Sequence, residues 1–412
     1  MRIALVAAVI FALFHGISAP FAAEPLSRER VIGAQTRLSE RLATALERDP
    51  KRKASENVIV SPASLAGIMA LLDIGADTKM RGAIFDTLGF TPALGHEPGP
   101  DLEGFRATIS KAASDNREGA AKFTIANSIV FDPKSPPYEK AIAKIQATGA
   151  EVSVDSLSDP ATIRRINDWV SKKTNGLIPS ILEGPLPPGI VGLNALYFDG
   201  KWTVPFAKQA TQPQPFHMGG SDIEVQMMHT NHAIAFRKGG RFVAVDLPYK
   251  DERFALTVIT TNDRAAKLSE FAEAAPWLKG EGFEQKTVDL SLPRFKLESS
   301  ESLLNAARAI GLSKGMDSAT AFEGLSPVPQ EVADILQKTY LRVDEEGTEA
   351  AAATAIITRA TSMRPPVEPE KVVIDKPFLF ALRDNDTGLI LMSGYIARPN
   401  AITTADLGNS KQ

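Results

Sequence analysis

Residues 190–206 read IVGLNALYFDGKWTVPF, and the first ten of them are almost uninterrupted in their apolarity. A strand with one wet face alternates apolar and polar residues, whereas a strand covered on both faces does not. This run therefore predicts a central strand buried front and back, in a sheet with material packed on each side. Asn194 stands in the middle of the run, and a buried amide must find hydrogen-bond partners. The chain has 412 residues, 44% of them hydrophobic, which is ample for a large core. Length alone allows one large domain or two, and no internal repeat or linker divides the chain.

The net charge is −3. No Lys/Arg cluster rises above a solvated face, which argues against a nucleic-acid binder. Residues 1–23 carry Arg2, an apolar run over 3–14 and then small residues, the pattern of a signal peptide. The run is too short to span a membrane, and no later segment is long and apolar enough, so a soluble product that is secreted or periplasmic is expected. The chain has no cysteine, which excludes disulfides, thiol catalysis and cysteine-based metal sites. An exported chain held by packing alone leans towards a bacterial source.

Helical spacing of Val31, Leu38, Leu42 and Leu46 predicts an amphipathic helix over 27–48, ended by Asp49-Pro50. Val58, Ile59 and Val60 form a short buried strand. Ser61 can cap a helix with Pro62 at its first position, and Leu65, Ile68, Met69 and Leu72 mark that helix's buried face. Residues 91–100 are rich in Pro and Gly and read as loop. Strands are expected over 123–132, 288–295 and 335–343, with two more within 241–261. Helices are expected over 165–182, running into a turn at Asn175-Gly176, and over 300–312. Residues 378–384 and 389–397 form a hairpin around Asn385-Asp386-Thr387-Gly388, and a tail follows Pro399.

Residues 344–366, DEEGTEAAAATAIITRATSMRPP, allow two readings. The alanines favour a helix. A period of two gives the other reading: Thr348, Ala350, Ala352, Thr354, Ile356 and Thr358 make an uncharged face, while Glu349 and Arg359 share the opposite one. Small side chains suit a strand that must slide between strands already packed. The acids Asp344, Glu345 and Glu346 read as solvated loop charges.

The string from Glu345 to Thr354 resembles the hinge of the reactive-centre loop of inhibitory serpins. Lys376-Pro377-Phe378-Leu379-Phe380, Gly394-Tyr395 and Pro399 resemble that family's carboxy-terminal signature. Further ordered matches are Ser61-Pro62-x-Ser64, Ala126-Asn127, Asn167-x-Trp169-Val170 with Thr174-x-Gly176-x-Ile178, Asn194-Ala195, and Leu247-Pro248-Tyr249. They run from about residue 27 to 399. The resemblance implies an α+β serpin fold: one domain over 24–400, three β-sheets, eight or nine helices, an exposed loop over about 345–370 and a tail over 401–412. It implies a hinge of Glu345, Gly347, Thr348, Ala350, Ala351, Ala352, Ala353 and Thr354. It puts Asn194 near Ser61 and Ser64 in the shutter beneath the central sheet, Trp202 in the breach at its top, and Arg294 opposite Glu345. Where the family has His-Lys this chain has Gln337-Lys338. An amide both donates and accepts, so Gln337 can stand in without a titratable charge.

By family spacing from Gly347, the reactive bond is Thr361-Ser362, whose small side chains imply an elastase-like or subtilisin-like target. Ala360, Met363 and Arg364 are alternatives. Arg364 would imply a trypsin-like target, and Met363 a chymotrypsin-like or cathepsin-G-like one. The implied function is a suicide substrate that traps a serine protease as its acyl-enzyme, the cleaved loop entering the central sheet. A monomer with no cofactor is expected, and the 91–100 region lacks the basic density of a heparin site. A non-inhibitory carrier or chaperone of the same fold is the alternative, against which the small hinge argues. An exported hydrolase is a more distant one: no G-x-S-x-G elbow and no H-E-x-x-H occurs. His229 and His232 lie three apart in what reads as strand or loop, where that spacing suits a metal poorly.

Overall fold

The computed structural model describes residues 26–50, 52, 56–90, 98–114, 121–250, 252–347 and 368–402. In chain order the elements begin with α1 (Arg28–Glu47), β1 (Val58–Val60), α2 (Pro62–Leu72), α3 (Thr78–Thr87) and α4 (Pro98–Ser114). Next come β2 (Lys122–Phe131), α5 (Glu139–Gln146), β3 (Glu151–Val154), α6 (Pro160–Lys173) and β4 (Ile190–Asp199). Then follow β5 (Gln212–His217), β6 (Asp222–Gly239), β7 (Phe242–Pro248), β8 (Phe254–Thr261), β9 (Glu284–Pro293) and β10 (Phe295–Ser302). The last are α7 (Leu304–Ala307), α8 (Ser313–Met316), β11 (Val332–Val343), β12 (Glu370–Val373), β13 (Phe378–Asp384) and β14 (Ile390–Ile396).

The strands form a five-stranded sheet, β10-β11-β4-β2-β3, and a nine-stranded one. β6 belongs to two parts of the larger sheet: Asp222–Met227 pair with β5, Met227–Phe236 with β9, and Ala235–Gly239 with β7. The third sheet expected from the resemblance is thus fused to the second through one long strand. In the smaller sheet β4 lies between β11, to which it is parallel, and β2, to which it is antiparallel.

The covering of β4 explains its composition. All but the last of its ten residues are buried. On one face lies α2, itself apolar all round and buried along its whole length, so that no polar stripe was visible in its sequence. Contact there is close: a Cβ on Gly192 would stand 2.5 Å from Ile68 Cγ2. On the other face Ile166 and Val170 of α6 pack with Val191, Leu193, Tyr197 and Tyr340.

Several boundaries differ from expectation. Pro98, Gly99 and Pro100 open α4 and are not loop, since proline is tolerated where a helix has no N–H to satisfy. α6 starts at Pro160, capped by Asp159, and ends at Lys173, short of the predicted 182. Residues 300–302 belong to β10, and the predicted helix over 300–312 is α7 followed by a π-turn, Arg308–Leu312. Arg294 separates β9 from β10. Past the expected end of the domain, Ile402 is still buried. The predicted signal peptide lies outside the described residues.

Candidate functional site

Two constellations stand along the β4–β11 seam. The first is where β11 ends. Asp344 Oδ1 accepts from the N–H groups of Glu346 (3.0 Å) and Gly347 (3.2 Å), and the Asp344 N–H donates to Gly347 O at 2.9 Å. The chain therefore reverses in a two-residue turn. The stretch that continues β4 holds this turn from the other side. Lys201 forms an antiparallel bridge with Gly347. Trp202 N–H donates to Glu346 O (3.0 Å) and Phe206 N–H to Glu345 O (2.8 Å). The Trp202 indole N–H donates to Asp344 O at 2.8 Å, while its ring stacks on Tyr249 with centroids 4.4 Å apart.

Asp344, Glu345 and Glu346 are 3%, 5% and 8% exposed, so the expectation of solvated loop charges was wrong. Each acid is buried against its own cation. Arg342 Nε lies 3.2 Å from Asp344, Arg294 Nη1 lies 3.5 Å from Glu345, and Lys208 pairs with Glu346. Thr211 Oγ1 donates to Glu345 at 2.8 Å. Burial pushes the Asp344 carboxyl above its ordinary range; the Arg342 charge and the Glu346 and Gly347 N–H groups oppose this, and Glu345 adds to it. The hydrogen bond to Glu346 raises the Lys208 ammonium, with burial acting against it. Gly347 is indispensable to the turn: its φ is +140°, and a Cβ there would stand 2.1 Å from Gly200 O.

The second constellation is midway along the seam. Gln337, Asn194 and Asn127 are neighbours in register across β11, β4 and β2. The Ser61 N–H donates to Gln337 Oε1 at 3.0 Å, and the Ser64 N–H to Ser61 Oγ at 3.0 Å. Asn194 Nδ2 donates to Asn127 Oδ1 at 2.7 Å. Asn194 Oδ1 and Gln337 Nε2 have no partner among the described residues. Sequence reasoning missed Asn127 as a partner, although an amide inside a strand was the same signal that singled out Asn194. Nothing local in the sequence pointed to Lys208, Thr211 or Arg342.

Thr348, Ala350, Ala351, Ala352, Ala353, Thr354 and the candidate reactive residues Ala360, Thr361, Ser362, Met363 and Arg364 lie outside the described residues. His229 and His232 sit on β6, and a separation of three puts them on opposite faces of a strand. Among the described residues no group of three His, Cys, Asp or Glu could hold a metal.

This geometry defines a class of protein: a sheet whose central parallel pair feeds, through a pinned turn, directly into the residues that follow it. The family model "Serpin (serine protease inhibitor)" matches residues 34–399, and the chain belongs to the serpin family. Human leukocyte elastase inhibitor is 29% identical over 392 residues, 90% of this chain and 100% of that protein. Serpin-Z2A of Triticum aestivum is 30% identical over 392 residues, 89% and 96% of the two chains. The structure of tengpin, a thermophilic serpin in its native state, superposes with a TM-score of 0.76 at 25% identity, covering 91% of this chain and 96% of that one. The family's description and the human relative's name are those of protease inhibitors. A bacterial source finds no support in these relatives, human and wheat among them.

Proposed function

We propose that this serpin inhibits a serine protease by a suicide-substrate route: the protease cleaves the loop, forms an acyl-enzyme, and is trapped as residues from 348 onward enter the sheet between β4 and β11. The observation that carries this reading is the position of Gly347, hydrogen-bonded to Asp344 at the end of β11 and at the same time the antiparallel bridge partner of Lys201 in the continuation of β4. It already occupies the first place of a strand between them.

Register can be counted from there. Each step back along β11 from the Asp344–Gly347 pair matches one step forward in the loop: Val343 meets Thr348, Leu341 meets Ala350, Thr339 meets Ala352. Ile335, Leu341 and Val343 on β11 join the main core with α2, whereas Leu336 and Tyr340 pack on the α6 side. This count therefore turns the uncharged face of the loop inward and leaves Glu349 and Arg359 on the other. A strand entering this way would be antiparallel to both neighbours, replacing one parallel pairing by two of the somewhat stronger kind. About a dozen new ladder hydrogen bonds at roughly 0.5–1.5 kcal/mol each would oppose an ordering cost of ~1 kcal/mol or more per residue. Burial of Ile356 and the threonine methyls adds to the gain. The uncleaved state is then held kinetically.

Thr361-Ser362 is the reactive bond in this reading, with an elastase-like target, a preference shared by name with the human relative. Residues 1–23 act as a signal peptide, so the mature protein meets its target outside the cytoplasm. Incubation with elastase, subtilisin, trypsin and chymotrypsin, followed by a denaturing gel and mass spectrometry of the released peptide, tests this. A band at the summed mass and a peptide starting at Ser362 are expected. Cleavage without complex, and without a rise in the stability of the cleaved protein, would sink the proposal.

A further inference from the structure

We infer that the cavity beside Trp202 and Phe206 binds a small amphipathic cation, an apolar body carrying an ammonium or guanidinium, and that its occupancy braces the turn at Gly347. The effect on inhibition rests on the loop-insertion reading above; the binding does not. The cavity has a volume of about 200 Å³, and Trp202, Val204, Phe206 and Leu247 wall it. Trp202, Phe206 and Leu247 are at most 5% exposed, whereas Val204 is 45% exposed, one of three large apolar side chains so open among the described residues. A concave apolar site with a few placed polar groups is the ordinary form of a small-molecule site. Here the placed groups are acceptors. Glu252 lines the cavity, and its carboxylate has no partner among the described residues. Its backbone, by contrast, is fixed: the N–H donates to Tyr249 O at 2.7 Å and the carbonyl accepts from Asn385 Nδ2 at 3.0 Å. The residue is held at a φ of +56°, a conformation that disfavours a side chain. His232 lines the same cavity. Its Nδ1 lies 2.9 Å from Ala233 O, so in the neutral ring the proton sits on Nδ1 and Nε2 keeps a lone pair. Two acceptors on an apolar cavity, one of them an unpaired carboxylate, complement a ligand that brings donors and positive charge.

The occupant would touch the segment that holds the turn. The N–H groups of Trp202 and Phe206 carry the carbonyls of Glu346 and Glu345. The same segment is tied to the end of β7, where the Thr203 N–H donates to Pro248 O at 3.0 Å and Thr203 Oγ1 to Tyr249 O at 2.9 Å. Leu247, on β7, belongs to the cavity wall, so a body filling the space braces residues 202–206 against β7. Widening the β4–β11 seam requires those residues, which continue β4, to part from Glu345 and Glu346. A ligand that binds one state alone stabilises that state by mass action. Occupancy therefore keeps the seam closed and slows entry of the cleaved loop.

The test uses the full-length, uncleaved protein with phenethylamine as the probe and phenylpropionate, of similar body and opposite charge, as its control. Binding is read by calorimetry, and inhibition by stoichiometry against a protease that the protein traps. Phenethylamine should bind and phenylpropionate should not. Glu252→Gln should weaken the amine about tenfold or more, through loss of a charge-assisted hydrogen bond. Val204→Lys, which brings a competing cation to the cavity, should abolish binding. Both positions are exposed, so neither variant disturbs the core. Saturating phenethylamine should raise the moles of wild-type inhibitor consumed per mole of protease, and should do nothing to the Val204→Lys variant. Equal binding of amine and carboxylate, or amine binding untouched by Glu252→Gln, overturns the site. Binding that leaves the stoichiometry unchanged overturns the bracing. If no protease is trapped, the loop-insertion reading fails by itself, while the binding results still uphold or overturn the site.

Discussion

Substituting Gly347 by alanine probes the turn on which the rest of the site depends. Its φ of +140° is strained for any residue with a side chain, at roughly 1–3 kcal/mol. Steric conflict comes on top: the new Cβ would stand 2.1 Å from Gly200 O and 2.6 Å from Lys201 Cα, both backbone atoms that cannot swing aside. The turn must move away from residues 200–206. The Lys201 bridge and the Trp202 and Phe206 hydrogen bonds to Glu346 and Glu345 cannot all survive, at about 1 kcal/mol each. We expect a loss of roughly 3–5 kcal/mol from the uncleaved protein. Gly149→Ala is the control: its φ is +85°, but nothing lies within 4 Å of the added Cβ, so strain acts alone. The two variants should differ by about 2 kcal/mol, or roughly 0.7 M in urea midpoint at a slope near 3 kcal/mol/M. Trp202, one of three tryptophans, reports directly because its ring N–H is bonded to this turn. Equal midpoints for Gly347→Ala and Gly149→Ala would refute the close packing of the turn against the end of β4.

Three further outcomes are expected. Trp202→Phe keeps the stack on Tyr249 but strands the Asp344 carbonyl, a loss of about 1–3 kcal/mol in thermal or denaturant unfolding; a neutral effect would mean that the hydrogen bond contributes nothing. Thr348→Arg would force a long charged side chain against the buried row at Val343, so inhibition should give way to plain cleavage, read as a rise in the moles of inhibitor consumed per mole of protease. Two aspartates should give pH slopes of opposite sign. Burial raises Asp344, so its contribution to native stability is present below the unfolded value of about 3.9 and lost as pH rises through the folded value. At Asp77, burial is outweighed by hydrogen bonds from Met80, Thr320, Ser318 and Lys79; its contribution is present above the unfolded value and lost as pH falls through the lower folded one. Stability against pH for Asp344→Asn and Asp77→Asn, each minus wild type, should therefore slope in opposite directions below neutrality, and parallel curves would contradict the assigned environments.

What the sequence determined alone was whatever depends on local pattern. The nearly unbroken apolarity of 190–199 required cover on both faces, and α2 and α6 supply it. Ser61-Pro62 announced a capped helix start, and Asn385–Gly388 a turn, because each is settled by residues a few positions apart. Pattern failed where distant residues decide. Asp344, Glu345 and Glu346 look like surface charges until Arg342, Arg294 and Lys208 are brought against them. The uncharged face of 348–358 is a bare periodicity in the sequence. The need of Asn194 for a partner was legible in one dimension. Which of its two polar atoms is satisfied was decided only by tertiary structure, because hydrogen bonding between strands depends on register, and register is set by contacts far apart in the chain.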